Sequence, residues 1–168
     1  KIETLLEAHY RETFEKWLET ERIVCKPYFR LRPSIHPATY TDIYARSLYT
    51  AEDGDMNKLE EKLIVELTAL PNVRWWHRNI AKQDFAINGF IKHYPDILIM
   101  TKSGKLICAE TKGEHLKNDG SRERIALGQA WRTAAGKDYR YYMVFENDEN
   151  LLPGAMSMSQ FIDTVKAL

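Results

Sequence analysis

Apolar residues recur at three- and four-residue steps in several stretches of the chain, the spacing that one face of a helix requires. Residues 1–21 carry Leu6, Tyr10, Phe14, Trp17 and Leu18 in this way, and residues 56–70 form a second such stretch, stopping before Pro71. A third helix is expected over 122–135, entered from a loop at Asn118-Asp119-Gly120-Ser121 and closed by Gly136. The last follows a loop over 147–154 and places Met158, Phe161, Ile162, Val165 and Leu168 on one side.

Elsewhere the pattern belongs to strands. Val73–Arg78 holds Trp75 and Trp76, residues 85–91 form a run interrupted by a turn at Asn88-Gly89, and Tyr139–Phe145 is rich in aromatics. Residues 23–37 alternate Val24, Phe29 and Leu31 with Arg30 and Arg32, but Pro27, Pro33 and Pro37 make an edge ribbon or extended connector of them. Glu52-Asp53-Gly54-Asp55 reads as a turn and helix start. Helices alternating with strands in this order predict an α/β layer around a mixed sheet.

The strongest strand signal is a hairpin. Tyr94-Pro95-Asp96-Ile97-Leu98-Ile99-Met100 and Lys105-Leu106-Ile107-Cys108-Ala109-Glu110-Thr111-Lys112 flank a turn at Lys102-Ser103-Gly104. With Gly104 in the left-handed position of a three-residue loop, Thr101 pairs with Lys105. Met100 then faces Leu106, Leu98 faces Cys108, and Asp96 faces Glu110. Directly opposed residues have Cβ atoms about 4.5–5.5 Å apart. Two carboxylates that close repel unless a proton or cation intervenes. Lys112, two residues beyond Glu110, shares its face. Two acids and a lysine on one surface describe a metal site with a neighbouring cation.

A third acid enters from the second helix. Stepping 100° per residue from Met56, the residues Met56, Leu59, Leu63, Leu67 and Leu70 cluster, with Ile64 on the flank. Glu60 falls inside that stripe at about 40°, and Glu61 outside it at about 140°. A carboxylate aimed at the core is costly unless it is paired or ligates something.

Charge and composition narrow the possibilities. Lys plus Arg and Asp plus Glu each number 24, so net charge is zero and nucleic-acid binding must come from a local patch. Cys25 and Cys108 build no disulfide framework, and the five histidines form no zinc-spaced cluster. With no apolar run near the ~20 residues of a membrane span and no signal-peptide pattern, a cytoplasmic setting without membrane partners is expected. The chain opens at Lys1 directly in helical sequence, so it is expected to be a piece of something longer.

Glu-x-Lys alone carries little, because Glu60-Glu61-Lys62 repeats the spacing on a helix, where it cannot form the site. Trp75, Trp76 and Trp131 read as core, and His77 as structural. Arg78, Lys117, Arg122 and Arg124 fit phosphate contacts and a solvated helix start equally well.

The ordered series Asp55-Met56-Asn57 with Glu60, Trp75-Trp76-His77-Arg78-Asn79, Asn88-Gly89-Phe90-Ile91, Tyr94-Pro95-Asp96, Glu110-Thr111-Lys112-Gly113 and Leu127-Gly128-Gln129-Ala130-Trp131 resembles the PD-(D/E)xK nuclease superfamily. Within it, the series is similar to the C-terminal endonuclease domain of the Res subunit of type III restriction enzymes and related superfamily-2 helicase–nucleases. The resemblance covers roughly residues 45–146. It implies a restriction-endonuclease-like mixed central sheet flanked by helices, with a nuclease domain over 45–168. Residues 1–44 would be a helical and extended connector to an upstream helicase or translocase domain. It further implies that Asp96, Glu110 and the Thr111 carbonyl hold Mg²⁺, for which Mn²⁺ substitutes, with Glu60 binding directly, through water, or at a second ion. Lys112 would orient water or neutralise developing charge, and Gln129 would be an auxiliary residue. The expected reaction is endonucleolytic hydrolysis of double-stranded DNA to 5′-phosphate and 3′-hydroxyl ends, with a methyltransferase subunit as partner and no ATP site in this chain. Two alternatives remain: a non-catalytic DNA-contact or docking module of the same fold, and an enzyme acting on a small phosphorylated substrate. The lack of a glycine-rich phosphate loop weighs against the last.

Overall fold

The computed structural model describes residues 2–36, 44–52 and 55–168. The expected turn at Asp53-Gly54 and the break at Pro37 lie outside the described residues. Helix α1 spans Ile2–Glu19 and α2 Lys58–Ala69, followed by strands β1 Val73–Arg78, β2 Ile87–Asn88, β3 Lys92–His93, β4 Ile97–Thr101 and β5 Leu106–Lys112. After a 3-10 turn at Glu114–Leu116 come α3 Asp119–Ala135, β6 Tyr139–Phe145, β7 Ala155–Ser157 and α4 Met158–Lys166. The chain is α/β. Its main sheet has five strands in the order β1-β4-β5-β6-β7, while β2 and β3 pair separately. β4 runs antiparallel to both of its neighbours, β1 and β5, and β6 and β7 continue parallel to β5.

Local chemistry sets the element ends. Gly104 adopts φ 84°, and Thr101 N–H donates to the Lys105 carbonyl at 2.9 Å, closing the three-residue loop expected from the sequence. α2 and α4 each begin in a capping box, Asn57 with Glu60 and Ser157 with Gln160. The Asn118–Ser121 stretch is no loop: Asn118 caps α3 by accepting the Ser121 amide, and the three residues after it form the first turn. Residues 23–36 form no strand and run as an extended connector.

Alternation along the strands divides the core between two faces. Ile97 and Ile99 of β4, Ile107 and Ala109 of β5, and Tyr142 and Val144 of β6 pack with Leu63, Ile64 and Leu67 of α2 and Phe161 and Val165 of α4. Each fully buried Leu or Ile contributes about 1.5–3 kcal/mol, so α2 is anchored well enough to carry a charged residue inward. On the other face Leu98, Cys108, Tyr141, Met143 and Phe145 meet Leu127 and Trp131 of α3. α1 rests on this second side through Phe14, which stacks edge-on against Phe90 at 5.7 Å, while Leu5 and Tyr10 remain exposed.

The expected core aromatics Trp76 and Trp131 are buried, and Trp75 is half-buried. His77 is structural: Nδ1 lies 2.9 Å from Glu52 and Nε2 3.3 Å from Asp84, all three fully enclosed. Arg32 grips the same Asp84 with Nε at 2.7 Å and Nη2 at 3.0 Å, fastening the connector to the body.

Candidate active site

The β4–β5 register matches the sequence reading: Met100 faces Leu106, Leu98 faces Cys108, and Ile97 faces Ala109. Strand pairing ends there, one step short of the expected Asp96–Glu110 pair. The Asp96 carbonyl faces the β1 side and accepts from the Asn79 amide at 2.8 Å. Its carboxylate Oδ2 accepts the Thr111 amide at 2.7 Å and the Thr111 hydroxyl at 3.0 Å. A side chain thus replaces a ladder bond at the point where the acids gather. Asn79 steadies this corner, donating from Nδ2 to the carbonyls of Phe85 and Pro95. In an antiparallel strand one residue's N–H and C=O point to the same side, so the Thr111 carbonyl faces the Asp96 side with its amide.

Glu110 and Lys112 follow Cys108 on the α3 face of β5. Lys112 Nζ lies 2.5 Å from Glu110 Oε1. The other oxygen, Oε2, is buried and has no hydrogen-bond partner among the described residues. Burial, then the charge of Asp96, push the Glu110 carboxyl up to about 8 against the pull of Lys112 and Arg124. Burial beside a second acid perturbs carboxyls in this way at functional clefts and in structural networks alike.

Glu60 points inward as the helical stepping predicted and is 7% exposed, whereas Glu61 is exposed. Burial and the Asp96 charge raise its pKa, against its capping bond and Arg78. Its Oε2 accepts the Asn57 amide at 3.1 Å and lies 3.6 Å from Arg78 Nη2, so this carboxylate already serves the helix cap. Among the described residues no three His, Cys, Asp or Glu side chains converge as a metal-holding group.

The four cations do not form one patch. Arg78 donates to the Asp55 carbonyl at 3.0 Å beside Glu60, and Lys117 lies 2.5 Å from Glu114 Oε2 on the 3-10 turn and also contacts the Glu149 carbonyl. Arg122 is exposed beside Asp119. Arg124 is half-buried, and its charge reaches Glu110 and His93. Gln129 is half-buried next to Gly128, and no hydrogen bond joins its side chain to the acids among the described residues.

Two site neighbours were not singled out in the sequence. His93 Nε2 lies 2.9 Å from the Tyr141 hydroxyl and 3.9 Å from Glu110 Oε2. Burial, then the charges of Arg124 and Lys112, depress the His93 ring to about 3, so it is neutral. Burial and the Glu110 carboxylate raise the Tyr141 hydroxyl well above its ordinary range.

The donor set suits a hard divalent ion: two carboxylates and a main-chain carbonyl. The partnerless Glu110 Oε2 makes the same point, because a buried unsatisfied polar group costs about 1–3 kcal/mol. A cavity of about 640 Å³ lies elsewhere, between α1, residues 23–26, residues 85–90 and α3. No family model, curated protein or solved structure matches this chain.

Proposed function

We propose that this chain contains a metal-dependent endodeoxyribonuclease domain of the PD-(D/E)xK type, similar to the endonuclease domain of type III restriction Res subunits. One observation carries the reading: the Asp96 carboxylate is bonded to Thr111, in the middle of a Glu110-Thr111-Lys112 segment whose acid and lysine meet at 2.5 Å. The antiparallel β1-β4-β5 unit, its parallel extension through β6 and helices on both faces support a restriction-endonuclease-like sheet.

In this reading Asp96, Glu110 and the Thr111 carbonyl hold Mg²⁺, with Mn²⁺ as a substitute, and Glu60 stands by as a third acid. When bound, the ion polarises the scissile phosphate and makes a nearby water more acidic. Lys112 holds a positive charge within reach of the phosphoryl oxygens, where negative charge develops during hydrolysis. Asp96, locked by the two Thr111 bonds, enters the reaction already oriented. Arg124 and Arg78 offer flanking charge to double-stranded DNA; with zero net charge the isolated domain binds it weakly and depends on a motor domain and methyltransferase for placement.

A second reading, a non-catalytic DNA-contact or docking module, draws on Glu60 being occupied in the α2 cap. Supercoiled plasmid incubated with the protein and Mn²⁺ or Mg²⁺ separates the two. Nicking that Asp96→Asn and Lys112→Ala both abolish supports the nuclease. DNA binding without nicking at any divalent concentration favours the module.

A further inference from the structure

The His93 ring and the Tyr141 hydroxyl form a buried cluster with Glu110 Oε2, and the reaction outlined above uses neither the ring nor the hydroxyl. The ring is 3% exposed and Glu110 likewise. His93 is fixed from two directions. Its backbone pairs with Ile87 across the β2–β3 ribbon, and its ring meets the Tyr141 ring edge-on at 5.6 Å. Tyr141 is in turn locked by α3, because Gly128 packs so closely that a Cβ there would overlap the phenol ring. The imidazole is therefore a fixed part of the wall, and closure requires the Glu110 side chain, held at Oε1 by Lys112, to approach it.

A neutral imidazole has one N–H and one lone pair. With the hydrogen on Nδ1, the Tyr141 hydroxyl donates to Nε2 and Glu110 Oε2 receives nothing. With the hydrogen on Nε2, the ring can serve either Tyr141 at 2.9 Å or Glu110 at 3.9 Å. A closure of about 1 Å brings Oε2 to ordinary hydrogen-bond distance. An ionised, buried carboxylate without a second donor is expensive, which favours the Nε2–H form once the acid carries its charge.

We propose that His93 is a positioning residue for Glu110: its Nε2–H, steadied by Tyr141, closes on Oε2 and fixes the carboxylate for divalent-cation binding. This rests on the cation site assigned to Asp96 and Glu110 above. Carboxylates that ligate metals are themselves hydrogen-bonded, and removing such a partner lowers metal affinity about 10–100-fold.

Titration calorimetry of Mn²⁺ into the whole chain, without DNA, tests the assignment on wild type, Glu110→Gln, His93→Gln and His93→Leu, each checked by thermal melting. His93→Leu is expected to weaken Mn²⁺ about 10–100-fold, and His93→Gln, which retains an N–H at that reach, to stay within a few-fold of wild type. Equal affinity of His93→Leu and wild type, with Glu110→Gln still defective, overturns the role of His93 and leaves the cation site standing. Equal losses in both His93 variants also overturn it, since the ring then acts by packing or as a ligand. No Mn²⁺ uptake by wild type removes the cation site and this role together. Imidazole ¹⁵N shifts of the wild-type protein with Mg²⁺ give a reading independent of any variant's folding: the Nε2–H tautomer is expected, and the Nδ1–H tautomer rules the proposal out.

Discussion

The Asp96 carboxylate lies 2.7 Å from the amide nitrogen of Thr111, closing with a side chain the gap where the β4–β5 ladder stops. One carboxylate thus satisfies a strand end through Oδ2 and presents a charge beside Glu110. Substitutions at this position separate the two jobs.

Asp96→Ala removes the acceptor from the Thr111 amide and hydroxyl, in a residue only 5% exposed. We expect a loss of about 1–3 kcal/mol in urea denaturation, the cost of a buried donor left unpaired. Asp96→Asn keeps an oxygen there and should stay within about 1 kcal/mol of wild type. Plasmid nicking should vanish in both.

Glu110 links stability to pH. Its folded pKa of about 8 lies above the ordinary 4.5, so folding favours the protonated acid. That contribution is complete below pH 4.5 and is lost as pH rises through about 8. Glu110→Gln, permanently neutral, should melt like wild type near pH 4.5 and several degrees higher at pH 8.5, with divalent ions chelated. Scanning calorimetry across that range checks the sign; a variant less stable than wild type at alkaline pH refutes it.

Gly128→Ala forces a methyl group into the Tyr141 ring, which is 0% exposed and has nowhere to retreat. Overpacking of this kind costs about 1–3 kcal/mol, despite the better helix propensity of alanine. Thermal denaturation measures the loss. Displacing Tyr141 should also reduce Mn²⁺ affinity if His93 depends on that ring.

The Glu52–His77–Asp84 network should show the opposite pH trends of its members. Burial pulls the His77 pKa down, but its bonds to Asp84 and Glu52 prevail and hold it above the ordinary 6.5. Its stabilisation is present below 6.5 and lost as pH rises through the folded value. Burial pushes Asp84 up, yet His77, the Ile80 amide and Arg32 keep it below 3.8, so its contribution is lost only as pH falls through that depressed value. His77→Leu takes one partner from each of two enclosed carboxylates, leaving Asp84 with Arg32 and Glu52 with Ser47, and should cost about 1–3 kcal/mol in guanidinium denaturation near pH 6. The alkaline decline due to His77 should disappear in the variant.

The hairpin register was legible because Gly104 and the three-residue loop it closes fix it within a dozen residues. The inward turn of Glu60 followed from helical stepping alone. Its engagement in the cap is also written in Asn57-x-x-Glu60, a capping-box spacing that competes for the same carboxylate. Other features depend on residues far apart in the chain. The early end of the ladder needs Asn79 and Thr111 on either side of Asp96, and His93 meets Tyr141 across 48 positions. β7 has three residues and no alternation to show; only its parallel pairing with β6 makes it a strand. The Asn118–Ser121 stretch misled because turn-forming residues also make good helix caps.

The fork of Arg32 on Asp84 also has a mechanical meaning. Tension drawn along residues 23–31 meets that bidentate grip, reinforced by the Tyr49 hydroxyl on the Arg32 carbonyl and by Phe29 and Leu31, which pack on the second core face. From Asp84 the load passes to His77 on β1, the outermost strand on that side. Through Arg32, traction on the arm is delivered to the edge strand β1, two strands away from β5.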